Sequence, residues 1–482
     1  MSLLIVGVDV TIVNVALPSI RRDLNASLSS LQWTVDAYTL VIGSFLMAAG
    51  STGDRFGRRR VFQCGLALFT LGSLLCSVAT SVPELVIFRC LQALGGAMLN
   101  PVALSIISNT FTGPRDRARA LGIWGAVFGL SLAIGPVLGG LLVTGLTWRA
   151  IFWINIPIGL AAIALTQLFV PESKAPTARR FDPYGQVLII AALATLTYGV
   201  IEGPSRGWGS PLIIVMFALA AAAAAALVLV ELRREQPLLQ VRFFRSVPFS
   251  GASAIAVLSF GMLAGFLFLN TLYLQDGRGF SALRAGVMTL PMAAMIVVFA
   301  PLSGRLVGSR GPRLPLVLAG LAMTAAAALL LGLSGTTSTW YLLADYVLFG
   351  LAFGLVNAPI SNTAVSGMPN SQAGVAASVA SASRQTGNAV GVAVVGSIVA
   401  GASNAGLAAA SHAAWAVLAG CGAAVVVIGY ASTSRRAAET ARRVREMLDP
   451  DPATAPAGAG APSPREAPQK EERARDATLD GR

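Results

Sequence analysis

Charged residues are scarce in this chain of 482 residues. They make up 12% of it, about half of the roughly 25% that is usual in soluble domains, whereas 55% of the residues are hydrophobic. Apolar segments follow one another almost from end to end. So few charges cannot cover the water-facing surface of a soluble fold of this size, and the expected surroundings are therefore a lipid bilayer.

Lysine and histidine are nearly absent, which excludes two kinds of site. The only lysines, Lys174 and Lys470, do not follow a glycine. The chain therefore has no phosphate-binding loop ending in Gly-Lys-Ser or Gly-Lys-Thr, and no ATPase motor of that type. The single histidine, His412, and four cysteines in apolar segments predict neither a metal cluster nor a disulfide framework. We expect no metal and no cofactor.

An enzyme embedded in the membrane would need clustered acids, histidines or a nucleophile near one membrane surface. The sequence contains no HExxH motif and no paired-carboxylate motif. These absences favour a transport function over catalysis.

Fourteen apolar segments are each long enough to cross a bilayer, which takes about 20 residues of helix. They must be helices, because backbone in lipid has to satisfy its own hydrogen bonds. The predicted fold is an all-α polytopic membrane protein, with spans at 3–19, 32–52, 61–80, 84–109, 118–142, 147–170, 184–202, 211–231, 249–275, 284–307, 313–333, 339–361, 372–401 and 410–432.

Basic residues outside the tail lie mainly in the short loops after even-numbered spans. The positive-inside rule therefore places these loops and both termini in the cytoplasm. We expect lipid, not nucleic acid, to account for the net charge of +13. Usage rich in alanine, arginine and glycine suggests a bacterial plasma membrane protein. Five tryptophans near the opposite ends of spans fit an interfacial belt: Trp33, Trp148, Trp208, Trp340 and Trp415.

Three features recur at shifts of 254, about 257 and 255 residues along the chain. The near-constant shift predicts two duplicated six-helix bundles, which is a plan used by transporters that rock about a central site. The matched pairs are Gly50–Arg59 with 304–313, Asn100-Pro101 with 357–359, and Pro114 with Pro369.

The repeat also predicts the domain boundaries. The two bundles occupy residues 1–170 and 249–433, and an insert of two helices occupies 171–248. Residues 434–482 are predicted to be a disordered basic cytoplasmic tail, because they are rich in proline, alanine and glycine. Within that tail, Arg435–Leu448 also fits a basic surface helix.

The loop Gly50–Arg60 separates the second and third spans and contains four arginines. Topology requires the positive charges but neither the glycines nor the acid. The glycines and the acid predict a tight turn whose carboxylate has a fixed partner. The candidate latch residues are Gly50, Asp54, Arg55, Gly57 and Arg58.

Asp9 is the first candidate for chemistry, because it lies inside the first span. An ionisable group at that depth costs several kcal/mol unless it is paired or hydrated. Burial disfavours the charged form of an acid, so such a group suits proton uptake and release. Arg89, in the fourth span, cannot deprotonate and must find an acid, carbonyls or water. Asp36, in the second span, is a further proton-coupling candidate. A structural acid or a snorkelling arginine is the alternative at each position.

Two further groups of residues are candidates in the spans. The fifth span contains small residues four apart, which let helices touch closely, and a proline that bends the helix; these are Gly135, Pro136, Gly139 and Gly140. Polar side chains in other spans suit either a substrate cavity or simple hydrogen bonds between helices; these are Asn14, Gln92, Asn357, Gln385 and Asn388.

Together, these segments resemble the drug:proton antiporter family with fourteen spans, within the major facilitator superfamily. Asp9–Pro18 resembles the first-span motif, Gly50–Arg60 the loop motif and 135–140 the span-five motif typical of exporters. Arg89–Ala97 resembles the span-four motif, with Ala93 where glycine is usual. The resemblance covers nearly the whole chain outside the tail.

The resemblance implies proton-coupled efflux of small amphipathic or cationic compounds, such as antibiotics, by a monomer with alternating access. Asp9 would carry the proton, Arg89 would modulate it, and Asp54 would latch the two halves at the amino end of span thirteen. An exporter or symporter of an endogenous metabolite on the same fold is the alternative. Only eight residues precede Asp9, so either the first span is short or translation starts upstream of Met1.

Overall fold

The computed structural model describes residues 2–111, 113–174, 182–234, 240–369, 372–403 and 406–448. These residues form helices joined by short turns, and no strand occurs among them. The prediction of an all-α fold is confirmed.

The first part of the chain forms a bundle of seven helical segments. The sixth and seventh are separated only by Ile154 and together make one membrane crossing. The segments are α1 (Ser2–Asp23), α2 (Leu28–Phe56), α3 (Arg58–Val78), α4 (Val82–Thr110), α5 (Pro114–Gly145), α6 (Ala150–Trp153) and α7 (Asn155–Phe169).

Two helices follow as the insert, and the second bundle comes after them. The inserted helices are α8 (Pro183–Arg206) and α9 (Pro211–Arg233). The second bundle contains α10 (Val247–Leu272), α11 (Ala282–Met288), α12 (Leu290–Arg310), α13 (Arg313–Leu329), α14 (Thr339–Val365), α15 (Ala373–Val399) and α16 (Leu407–Ser432), and a last helix, α17 (Arg435–Leu448), follows it.

Twelve helical segments in the described part of the chain are long and apolar enough to cross a membrane. The protein is therefore a multi-pass membrane protein. The predicted count of fourteen spans is not confirmed, because α5 and α15 are not among the twelve. Both are long, at 32 and 27 residues, but α15 carries an arginine, a glutamine and an asparagine at its centre.

The internal repeat has a structural counterpart in the turn after the second helix of each half. α2 ends at Phe56 and α3 begins at Arg58, with Gly57 between them at φ +113°. In the second half, α12 ends at Arg310 before Gly311 at φ +79°. Residues with side chains rarely adopt positive φ, so both turns depend on glycine. We call the end of the molecule that contains the Gly57 turn the basic end.

The insert packs beside the seam between the two bundles. That seam is formed by α2 of the first bundle and α15 of the second, which lie against each other. α8 packs against both of them, and α9 packs on α8 with most of its apolar surface exposed. The insert therefore adds a third helix to the seam and a lipid-facing helix outside it.

The helix α17 occupies Arg435–Leu448, the part of the tail whose sequence also fitted a basic surface helix. Ala437, Ala441 and Val444 are buried against the second bundle, and the Thr440 hydroxyl accepts the backbone N–H of Val247 at 2.9 Å. The alternating basic and apolar residues thus form an amphipathic helix with a packed apolar face. The rest of the predicted tail, residues 449–482, lies outside the described residues.

Glycines allow the close helix crossings within each bundle. At the crossing of α3 and α4, a Cβ atom on Gly95 would overlap the backbone of Phe69 and the carbonyl of Gly65. In membranes such small-residue contacts replace the hydrophobic driving force between helices. By contrast, Gly420 of α16 has no atom within 4 Å of the position of its Cβ.

We predict that Gly95→Ala destabilises the protein by about 1–3 kcal/mol, the usual range for an overpacked core. Gly420→Ala is the matched control and should leave stability unchanged, because its methyl group meets open space. Thermal unfolding in detergent measures both. Equal unfolding temperatures for Gly95→Ala and the wild type would contradict this packing.

Candidate functional site

Asp9 lies in α1 and is fully buried inside the first bundle. Its Oδ2 atom accepts a hydrogen bond from Nη1 of Arg89 at 2.6 Å, which makes a buried ion pair between α1 and α4. Its Oδ1 atom accepts from Nε2 of Gln92 at 2.7 Å and from Nδ2 of Asn155 at 3.0 Å. The structure thus brings together the predicted residues Asp9, Arg89 and Gln92, and it adds Asn155.

Arg89 has partners in α1, in α2 and in its own helix, α4. Nη1 also donates to Oε1 of Gln92 at 2.7 Å, and Nε donates to the backbone carbonyl of Thr34 at 3.3 Å. The guanidinium carbon lies 4.0 Å from the centre of the Tyr38 ring, where a cation is attracted to the aromatic face. Arg89 is therefore held by α2 as well as by α1.

Ser73 of α3 links two members of the network. Its hydroxyl oxygen lies 2.7 Å from Nε2 of Gln92 and 3.3 Å from Nδ2 of Asn155. Five helices, α1 to α4 and α7, therefore meet at one polar cluster in the bundle interior. We call Asp9, Ser73, Arg89, Gln92 and Asn155 the Asp9 network.

The chemistry of the Asp9 network follows from the buried ion pair. Removing one partner of such a pair typically costs about 3–5 kcal/mol, because the other charge is left uncompensated. A proton on Asp9 would neutralise the acid and leave the guanidinium without its counter-charge. The pair therefore holds α1 and α4 together only while both groups are charged.

Asp36 does not join this network. It is fully buried in α2, and neither of its carboxylate oxygens has a hydrogen-bond partner in the described part of the chain. It lies four residues after Gln32 and seven before Gly43, and both of these residues contact α15. Because residues at such spacings share one face of a helix, Asp36 lies on the face of α2 that meets the second bundle.

Asp54 has a partner within its own loop. Its Oδ1 atom accepts from Nη2 and Nε of Arg58 at 2.9 and 3.1 Å. A carboxylate does cap a helix amino end nearby, but it belongs to Glu172, which accepts the backbone N–H groups of Arg59 and Arg60 at the start of α3. The expected contact of Asp54 with the amino end of the thirteenth span, α15, is absent among the described residues.

The other latch candidates shape the turn. Gly57 has the positive φ described above, and a side chain there would overlap the carboxylate of Glu172. Gly50 faces Pro101 of α4. Arg55 is exposed, with its guanidinium carbon 5.5 Å from the centre of the Phe56 ring. The loop is therefore held together by contacts within the first bundle.

The glycines of the span-five motif allow contacts on two sides of α5. Side chains at Gly135 and Gly139 would overlap Thr11 and Ile12 of α1. A side chain at Gly140 would overlap the backbone of Ala282 in α11. Across the same contact, Gly286 of α11 lies against the carbonyl of Pro136. The motif therefore joins the two bundles at the end opposite the basic end.

Three polar contacts add to this junction between the bundles. We call the end of the molecule where it lies the closed end. Nε2 of Gln275 donates to the carbonyl of Val15 at 2.8 Å, and Arg21 lies 3.5 Å from Asp276 in an ion pair. Nε2 of Gln32 donates to the carbonyl of Ala393 in α15 at 3.0 Å. The two bundles are thus held together at the end of the molecule farthest from the Gly57 turn.

The remaining cavity candidates lie apart from the Asp9 network. Asn14 donates to the carbonyl of Val10 within α1 at 2.9 Å, and Asn388 donates to Gln385 within α15 at 2.9 Å. Asn357 lies in α14 with a buried amide oxygen. Gln385 reaches the seam, where its Cβ lies 3.1 Å from the position of a Cβ on Gly43.

The sequence analysis assigned no role to Asn155, Ser73 or Tyr38. A buried asparagine in an apolar span is a signal that would have singled out Asn155. Ser73 and Tyr38 give no such signal, since serine and tyrosine are common in membrane helices and only the fold brings them to Asp9.

The comparisons with known proteins agree with this architecture. The family model described as Major Facilitator Superfamily matches residues 1–392. A multidrug resistance protein of Mycobacterium tuberculosis is 39% identical over 400 residues, which cover 83% of this chain and 74% of that protein. A tetracenomycin C resistance and export protein of Streptomyces glaucescens is 39% identical over 406 residues, which cover 82% and 74%.

Among solved structures, a D-xylose–proton symporter matches 87% of this chain and 94% of its own, with a TM-score of 0.60 and 15% identity. This likeness concerns the fold. The two bundles and the buried polar site define a membrane transporter. The family match and the relatives make the assignment specific, and the chain belongs to the major facilitator superfamily.

We predict that Asn155→Leu lowers the free energy of unfolding by about 1–3 kcal/mol, because it leaves buried acceptors of the Asp9 network without a donor. Gln167→Leu is the matched control on the same helix. Its hydrogen bond to Gln63 is exposed, so the expected change is within about 0.5 kcal/mol. Unfolding in a detergent titration measures both, and equal effects would contradict a tightly coupled network.

Proposed function

We propose that the protein is a proton-driven exporter of small amphipathic or cationic compounds, antibiotics among them. It would be a drug:proton antiporter of the fourteen-span branch of its superfamily. The observation that carries the proposal is the buried Asp9–Arg89 pair with its ring of amide partners. The relatives named for multidrug resistance and for tetracenomycin C export support the direction and the cargo class.

The proposed coupling step is the exchange of partners at Asp9. When Asp9 is charged, Arg89 is neutralised and the helices α1 and α4 are held together. When Asp9 binds a proton, Arg89 keeps only the neutral partners Gln92, Thr34 and Tyr38. Because a buried cation without an acid is costly, protonation favours a second arrangement in which the guanidinium reaches water or another acid.

The second arrangement would open the closed end. If the basic end faces the cytoplasm, as the positive-inside rule predicts, the closed end faces outward. Release of a compound then requires separation of α5 from α11 and rupture of the ion pair between Arg21 and Asp276. The glycines of the span-five motif favour this interface, since they permit a close contact without interlocking side chains.

The topology and location of the exporter follow from the same proposal. α5 and α15 would complete fourteen spans, with both termini in the cytoplasm and the chain in a bacterial plasma membrane. The monomer would be the working unit, because each chain contains both bundles and the site. An exporter or symporter of an endogenous metabolite is the other outcome that transport assays can reveal.

We predict that Asp9→Asn lowers pH-driven efflux at least tenfold, because an amide cannot bind and release the coupled proton. The measurement is efflux of ethidium from proteoliposomes with an imposed pH gradient. Asp23→Asn, near the other end of α1 with its carboxylate partly exposed, is the matched control and should keep more than half of the wild-type rate.

Unimpaired efflux in Asp9→Asn would reject the assigned role of Asp9. Wild-type protein that moves no compound on a pH gradient, in either direction, would reject the proposed function itself. Gradient-driven uptake in place of efflux would favour a symporter.

A further inference from the structure

A second arginine lies inside a long helix of the bundles, and it has no acid beside it. α15 begins near the basic end, because its later residue Ala393 contacts Gln32 at the closed end. Arg384 is eleven residues after the first residue of α15, Ala373, or about 17 Å along the helix. This distance is far beyond the reach of an arginine that snorkels to a membrane surface. An ionisable group at such depth is a candidate functional group.

The partners of the Arg384 guanidinium group are neutral. Nη2 donates to the hydroxyl of Ser361 in α14 at 2.6 Å, and Nη1 donates to the hydroxyl of Ser381 at 3.4 Å. The guanidinium carbon lies 5.7 Å from the centre of the Phe260 ring in α10. Nε is buried and has no hydrogen-bond partner in the described part of the chain. Arg89, by contrast, has an acid, a carbonyl and an amide around the same group.

The acids on the surrounding helices lie far from Arg384, and no ion pair between described residues includes it. α10 and α15 contain no aspartate or glutamate. The one acid of α14, Asp345, is sixteen residues before Ser361, or about 24 Å along the helix. In α2, Asp36 is seven residues, about 10 Å, from Gly43, which meets α15 at the residue after Arg384. The positive charge therefore has no counter-charge beside it.

Arg384 lies on the face of α15 that is turned toward the interior of the molecule. Gln385 lies against α2, Gly387 lies against α10, and Thr386 is on the side of α8. At 100° per residue, Arg384 and Asn388 share the face between those that meet α2 and α10, opposite α8. Because the insert covers the seam from the lipid side, this face is turned toward the space between the bundles.

The surroundings of the guanidinium group are accessible on the side of α14. Ser361, which accepts its hydrogen bond, is exposed, and so is the next residue, Asn362. Asn357 lies one turn before Ser361 on the same face of α14, and its amide oxygen has no hydrogen-bond partner among the described residues. We call Arg384, Ser361, Ser381 and Asn357 the Arg384 site.

An oxyanion is the ligand that suits the chemistry of the Arg384 site. A guanidinium group presents a planar fork of N–H donors that matches a carboxylate, and such charge-assisted bonds are about twice as strong as neutral ones. Hydroxyl and amide groups beside the fork can donate further hydrogen bonds to the same oxygens. A cationic group placed there would be repelled by the uncompensated charge.

We propose that Arg384 binds the carboxylate, or an equivalent oxyanion, of an amphipathic compound between the two bundles. The inference rests on the proposed export function and deepens it, because it adds compounds with an anionic group, zwitterions included, to the cargo. Ser361 and Asn357 would orient that group. The Arg384 site belongs to the second bundle and the Asp9 network to the first, so the two bundles would divide the anion and the proton between them.

The first test compares two dyes that differ only at one group. Rhodamine 110 has a free carboxylate, and rhodamine 123 is its methyl ester. We expect Arg384→Gln to weaken rhodamine 110 binding to the purified protein at least tenfold and rhodamine 123 binding less than twofold, because only the carboxylate pairs with the guanidinium group. Arg436→Gln removes an exposed arginine of α17 and, as the matched control, should change neither. Fluorescence anisotropy in detergent measures both affinities without a proton gradient.

A second variant keeps the arginine and occupies its fork. Ser361→Asp places a carboxylate beside Nη2 of Arg384, at an exposed position that tolerates a larger side chain. We expect rhodamine 110 binding to weaken at least tenfold, because the new acid competes with the carboxylate of the dye. Ser361→Asn is the matched control of similar size without the charge, and it should change this affinity less than threefold.

The outcomes separate the two proposals. Unchanged rhodamine 110 binding by Arg384→Gln or by Ser361→Asp overturns the Arg384 site, and so does a wild type that does not bind rhodamine 110. An equal loss of both dyes in Arg384→Gln shows a structural role and also overturns it. None of these results affects proton-driven export of ethidium. Carboxylate-selective binding by a protein that exports nothing on a pH gradient supports the Arg384 site and contradicts the proposed function.

Discussion

The structure depends on one buried ion pair between Asp9 and Arg89. In the low-dielectric interior of a membrane bundle, neither charge is tolerable without the other, so α1 and α4 must stay in register as long as Asp9 is ionised. Gln92, Asn155 and Ser73 fill the remaining hydrogen-bonding positions around the acid. In the proposed exporter, a proton on Asp9 cancels this constraint.

In the proposed mechanism, this constraint acts on the interfaces between the two bundles. The two bundles meet at α2 with α15 and at α5 with α11, through close contacts that glycines permit. In both interfaces small residues let the helices approach closely. Arg89 also bonds to α2 through Thr34, so the Asp9 network is in direct contact with the helix that forms the seam.

Much of the fold and of the candidate site was predictable from the sequence, for physical reasons. A buried acid and a buried arginine in separate apolar spans must find partners, and the structure pairs them. The repeat predicted two related six-helix bundles, and the turns at Gly57 and Gly311, both with positive φ, occupy matching places in the two halves. Ser73 escaped prediction because only tertiary packing brings it to Asp9, whereas Asn155, an asparagine in an apolar span, carried a signal that could have been used. Asp54 pairs with Arg58, four residues further along the chain, in this structure, and its contact with the amino end of α15 stays a prediction. The segment Arg435–Leu448 also fitted a basic helix in the sequence, but only tertiary packing shows that α17 buries Ala437, Ala441 and Val444.

Proton release upon substrate binding tests the central claim most directly. Purified protein in weakly buffered detergent solution is mixed with ethidium, and a pH indicator measures the protons released. If Asp9 exchanges its proton for the compound, the wild type releases protons and Asp9→Asn releases none, although it still binds ethidium. Equal proton release by both proteins would contradict the account, since the exchanged proton would then come from another group.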